Sequence, residues 1–250
     1  MESNEQNVGG VSRRNLLKTL GIGGGIAALS FGALFAGAED ALAAPRGTKA
    51  HDKMDSIATM ANLAATAETL AATSYYGTLA AASFSLTDQA RLYFTLAMDS
   101  ELYHLNVLES LGGKSLANEF YIPEKFLTDF ATNQQTFITA ETTFTGAYLA
   151  ATRRFAELGQ PRLAATTAQF AATEVEHLTL QRLVAGLVPN PNSLAAPIYY
   201  NVSDAIPTLT PFLVGGPGFI GPVRFPGKDA VRALVGGNKS FIVPTFTQVF

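Results

Sequence analysis

The 250-residue chain has no cysteine and no tryptophan, only three histidines, and charged side chains at just 15% of its positions. Without cysteine there is no disulfide framework, no thiolate metal site, no lipid attached through an N-terminal cysteine and no cysteine nucleophile. With three imidazoles in all, any metal centre has to lean on carboxylates. The 17 basic and 20 acidic residues leave a net charge of -3. That is neither the broad basic footprint nucleic acid requires nor the acidic excess of a mineral-lining surface. What the chain does have is length and 48% hydrophobic residues, enough to bury a core in one or two domains, which excludes intrinsic disorder.

The first 43 residues read as an address rather than as fold. Ser12-Arg13-Arg14-Asn15-Leu16-Leu17-Lys18 precedes an apolar, glycine-rich run from Gly21 to Ala38, and Ala41-Leu42-Ala43 supplies the small residues of a cleavage site. The paired arginines resemble a twin-arginine signal, with Leu16 where Phe is commoner. That resemblance implies export in the folded state, to a periplasmic, extracellular or cell-surface location. Contact with the membrane is then limited to transit unless the signal is retained. A general secretion signal and an uncleaved anchor are the alternatives.

From 44 to 188 the chain is rich in Ala, Leu, Thr and Glu, and its apolar residues recur at intervals of three and four, the helical period. Four long helices are expected. The first spans about Asp52 to Ala82, and the second starts after an S-x-x-D box, Ser85-Leu86-Thr87-Asp88, and stops before Gly112-Gly113. Pro123-Glu124 opens the third and Gly159 closes it; Pro161 opens the fourth, which fades at Gly186 and Pro189. A twelve-residue crossover, Gly112 to Pro123, then has to return along the molecule almost fully extended. Residues 189–250 differ in character: they hold nine of the twelve prolines and neither Glu nor His. Irregular structure with short extended, buried pieces is expected there, at Phe219-Ile220, Phe225 and Phe241-Ile242-Val243, packed on the helices or on another subunit.

The helical region repeats with an offset of 73 residues. Thr66-Ala67-Glu68-Thr69 returns as Thr139-Ala140-Glu141-Thr142, Glu101-x-x-His104 as Glu174-x-x-His177, and Tyr75 as Tyr148. Residues three apart share a helix face, so each E-x-x-H aims a carboxylate and an imidazole at one point, and a lone Glu on each remaining helix can bridge two ions lying between them. Four carboxylates neutralise two divalent cations, and two imidazoles complete the inner shells. The flanking residues are largely apolar: Phe94, Ala97, Met98, Leu105 and Leu108 around Glu101, and Phe170, Ala171, Leu178 and Gln181 around Glu174. Bare carboxylates on such faces are costly unless a cation compensates. By contrast His51, Glu109, Glu119, Glu124 and Glu157 read as solvated or helix-start groups, and Glu176 falls on the outer face of its helix.

This constellation resembles the di-iron or di-manganese site of the ferritin-like proteins, and the chain as a whole resembles exported, desiccation-related members of that superfamily. The resemblance implies an all-α, up-down four-helix bundle with a long crossover between helices two and three, followed by a Pro/Gly-rich tail. It implies two iron ions, or alternatively two manganese ions, held by Glu68, Glu101, His104, Glu141, Glu174 and His177. The reaction implied is with O2 or hydrogen peroxide: oxidase or peroxidase-like with iron, peroxide dismutation with manganese. Tyr75 and Tyr148 are candidate electron donors, with core packing as their alternative role. Self-association through the bundle or tail is expected; nucleic acid is not. A bundle in which the metal only staples helices, as in a structural stress or surface protein, is the non-enzymatic reading.

Overall fold

The computed structural model describes residues 54–249, which are mostly helical with little strand. The expectations for the signal at 1–43 and for His51 lie outside these residues; the first helix, expected from about Asp52, is not helical at 54–56 and begins at Ile57. Four long helices come first: α1 (Ile57–Ala81), α2 (Asp88–Ser110), α3 (Phe130–Glu157) and α4 (Pro161–Val184). Three of them begin where a side-chain oxygen accepts a backbone N–H that has no helical partner: Ser56 from Thr59, Thr87 from Ala90 and Asp129 from Thr132. The fourth begins on Pro161, whose missing N–H costs nothing at that position. Gly159, at φ +67°, turns the chain between α3 and α4. α1 packs against α2 and α3 against α4, and the pairs meet through α1 with α3 and α2 with α4. Among the described residues no helix is long and apolar enough to cross a membrane.

Two further expected boundaries move. The cap of α2 is Thr87, two residues beyond Ser85. The third helix opens at Phe130 rather than at Pro123-Glu124, because Glu119–Pro123 is extended as β1, paired antiparallel with β2 (Phe219–Arg224). The connection from α2 to α3 is therefore longer than the expected twelve residues and is not taut. It runs back along α1: Lys114 N donates to Asn62 Oδ1, Leu116 N to Thr66 Oγ1, and Ser83 N to the carbonyl of Leu127.

The tail is more regular than its composition suggests. After a 3₁₀ turn (Val202–Ala205) come α5 (Ile206–Val214), β2, α6 (Lys228–Val235) and α7 (Phe246–Val249). Pro207 sits in the first turn of α5, where proline is tolerated. α6 buries Val231 and Val235, one turn apart, against α2, while Lys228 reaches Asn106 and Glu109. Of the expected buried extended pieces, Phe219 lies in β2 and is buried, but Ile220 beside it is 48% exposed. Phe241, Ile242 and Val243 form no strand, and Phe241 is 98% exposed. That segment is held by polar bonds instead of burial: Asp99 accepts from Ser240, and the Tyr103 hydroxyl donates to the Val243 carbonyl.

Candidate metal centre

Glu68 stands on α1, Glu101 and His104 on α2, Glu141 on α3, and Glu174 and His177 on α4, all of them buried. Their donor atoms converge in two overlapping groups. Glu68, Glu101, His104 and Glu174 form one; Glu101, Glu141, Glu174 and His177 form the other; within each, one atom from every residue lies within 4.8 Å of the rest. His104 Nδ1 is 3.2 Å from Glu101 Oε2, 3.3 Å from Glu174 Oε1 and 3.6 Å from Glu68 Oε1. His177 Nδ1 is 3.1 Å from Glu101 Oε1, 3.3 Å from Glu174 Oε2 and 3.9 Å from Glu141 Oε2.

The shared positions are the reverse of those expected. Glu101 and Glu174, the carboxylates of the two E-x-x-H pairs, each give one oxygen to each group, whereas Glu68 and Glu141 belong to one group apiece. The cause lies in two hydroxyls. Tyr148 donates to Glu68 Oε1, and Tyr75 donates to Glu141 Oε1 at 2.6 Å, so each lone Glu keeps a single oxygen, Oε2, without a hydrogen bond. Each Tyr thus serves the Glu of the other half rather than its own. Tyr75 Oη also accepts from Gln181 Nε2 at 3.1 Å and lies 3.3 Å from the Tyr93 hydroxyl. Sequence reasoning assigned Tyr93 and Gln181 no role. The signal was available, since 73 residues away from them stand Thr166 and Leu108, a break in the repeat.

Burial pushes the Glu68 and Glu141 carboxyls well up, and the charge on Glu101 adds to it. For Glu101 burial is again the largest influence, but the His177 and His104 imidazoliums outweigh it and hold its carboxyl below the ordinary range. Glu174 is lowered by the two imidazoles it faces, His104 and His177, despite burial and the neighbouring Glu101 charge. Burial disfavours charge on the imidazoles too; the facing carboxylates nevertheless raise both. Burial, then the charge of the Glu each one touches, keeps the Tyr75 and Tyr148 hydroxyls protonated.

Eight side-chain atoms of the six residues are buried without a hydrogen-bond partner: Glu68 Oε2, Glu141 Oε2, both oxygens of Glu101 and of Glu174, and Nδ1 of each His. Unpaired polar atoms on this scale are rare in native cores and call for an explanation. Here they are oxygen and imidazole nitrogen donors aimed at one another, so this buried group could hold a metal ion. The surroundings of the two halves differ. Beside Glu141, Tyr75 stacks on Phe137 at 4.3 Å and Phe94 stands edge-on to both rings. Beside Glu68, Phe170 lies flat on His104 at 4.4 Å and edge-on to Tyr148 at 5.2 Å. Behind the imidazoles, a cavity of about 470 Å³ between α2 and α4 is roofed by Ser240–Val243. Glu109, Glu119, Glu124, Glu157 and Glu176 are exposed and take no part. No model of a known family, no curated protein and no solved structure matches this chain.

Proposed function

We propose that the chain is an exported dinuclear metal protein of the ferritin-like kind that reacts with O2 or peroxide. In this reading the four long helices are an up-down bundle whose crossover is the connection carrying β1. The observation that carries it is the set of eight buried donor atoms without a hydrogen bond, from four different helices, arranged as two groups sharing Glu101 and Glu174. Glu68, Glu101, Glu174 and His104 would hold one ion, and Glu141, Glu101, Glu174 and His177 the other. When bound, a carboxylate-bridged pair of iron or manganese ions supplies successive one-electron steps to O2 or peroxide. The chain's own part is positional. Tyr148 and Tyr75 fix the orientation of Glu68 and Glu141 through their hydroxyls, and the stacked rings of Tyr75, Phe137 and Phe94 keep water from one side. Both phenols lie within one carboxylate of the centre, the position from which a tyrosine could supply an electron.

The metal content of protein from its native host tests this, followed by a peroxide assay on the same sample. Two ions per chain are expected. Glu101→Ala, which removes a shared ligand, should lose both, whereas Glu68→Ala should retain about half the metal. Equal retention in the two variants, or a wild-type chain with no transition metal, would overturn the reading. Iron with peroxide reduction favours an oxidase or peroxidase role, and manganese with oxygen release a catalase. Two ions without turnover would mark the site as a helix staple.

A further inference from the structure

The two halves of the helical region carry the same donors but are not the same size inside. Around Tyr75 pack Phe137 from α3 and Phe94 and Tyr93 from α2, with Gln181 of α4 on its hydroxyl. Shifted by the repeat of 73 residues, those positions are Ala64, Thr167, Thr166 and Leu108. Three aromatic rings are thus replaced by one methyl and two threonines. All four of these residues line a cavity of about 150 Å³ whose inner wall is Tyr148 and Phe170. The cavity is the space the aromatic cluster fills in the other half.

Its lining excludes most ligands. No charged side chain borders it, and four hydroxyls do. Each of these is already engaged: Tyr148 with Glu68, Thr143 with the Thr139 carbonyl, Thr167 with the Leu163 carbonyl, and Thr166 with Thr247. A polar or charged guest would lose its hydration and find nothing in exchange. Apolar cavities near 150 Å³ stay dry and are large enough for benzene or xenon. The rim is open at Ile57 and Leu111, each 40% exposed, so a guest has a route in. At the inner end the lining includes Phe170, whose ring stacks on His104, and Tyr148, whose hydroxyl donates to Glu68.

We infer that this cavity is a binding site for one small uncharged hydrocarbon, aromatic or branched aliphatic and of about the size of benzene or toluene, held beside the Glu68–His104 half of the centre. The site is made by the lining and does not depend on bound metal. It goes beyond the proposed function by naming a molecule other than O2 or peroxide that the protein accommodates.

The test is toluene binding to the full-length chain, metal-free and manganese-loaded, followed by saturation-transfer NMR and by the shift in melting temperature; metal content is measured separately. Saturable binding to the wild type is expected. Ala64→Phe, which places in this half the ring that Phe137 provides in the other, should weaken binding at least tenfold. Should that variant not fold, Ala147→Leu narrows the same cavity with a smaller change and should give the same direction. No saturable binding of toluene or xenon to the wild type would overturn the inference, as would undiminished binding in the folded filled variant. A chain that binds toluene but no transition metal would sink the dinuclear reading and leave the cavity site standing.

Discussion

At the scale of single residues, the two tyrosines that look equivalent in the repeat carry unequal duties. The Tyr148 hydroxyl serves one carboxylate, Glu68. The Tyr75 hydroxyl serves Glu141, accepts from Gln181 and lies beside Tyr93, all of them buried. Removing it strands at least two polar atoms where water cannot replace it, each at about 1–3 kcal/mol. Tyr75→Phe should therefore cost more unfolding free energy than Tyr148→Phe, by about 1 kcal/mol or more, in denaturant titrations of the metal-free chain. Equal losses, or the reverse order, would contradict the network drawn here. The six donors were legible in the sequence because i, i+3 spacing and a 73-residue offset are local, countable quantities that fix a helix face. Which carboxylates are shared was not. That depends on how each lone Glu turns, and a phenol from the other half of the chain decides it.

Among elements, the same contrast between local and distant holds. The second and fourth helices were readable to within a residue or two, because Thr87-Asp88 and Pro161 are short-range signals, whereas the first begins at Ile57, five residues past its expected start. The third helix was misplaced because Pro123 is also a permissible end of a strand, and the partner strand lies about a hundred residues later, at Phe219–Arg224. Composition likewise said little about where the tail docks. One contact settles part of it: a side chain at Gly146 of α3 would collide with Ile198 and come within 3.1 Å of Tyr199. Gly146 is thus the notch that seats residues 198–199. Gly146→Val should push this stretch off the helix and cost about 1–3 kcal/mol as overpacking. Limited proteolysis should then find new cleavage between Pro189 and Tyr200 with α1–α4 intact. An unchanged digestion pattern and melting temperature would show that the tail is held elsewhere.

For the whole molecule, the centre ties stability to pH in opposite directions with and without metal. In the metal-free chain Glu68 and Glu141 hold protons more tightly folded than at their ordinary value of 4.5, chiefly through burial. Against burial, the facing carboxylates lift His104 and His177 above 6.5. All four groups bind more protons folded than unfolded, so unfolding free energy falls as pH rises: from 4.5 upward for the carboxyls, and from 6.5 upward for the imidazoles. The lowered Glu101 and Glu174 act oppositely, but their contribution is complete above 4.5. The metal-free protein should therefore melt at progressively lower temperature from pH 5 to pH 8. Divalent cations displace those same protons, so their affinity, and the stability they add, grow over the same range. At metal a thousandfold above its dissociation constant the gain is about 4 kcal/mol for each ion bound, or roughly 8–16 °C per ion for a domain of this size. Differential scanning calorimetry of chelated and manganese-loaded samples should show the two curves diverging as pH rises. A constant gap, or a metal-free chain that gains stability toward pH 8, would mean that the buried carboxylates and imidazoles are neutralised by something other than protons and metal.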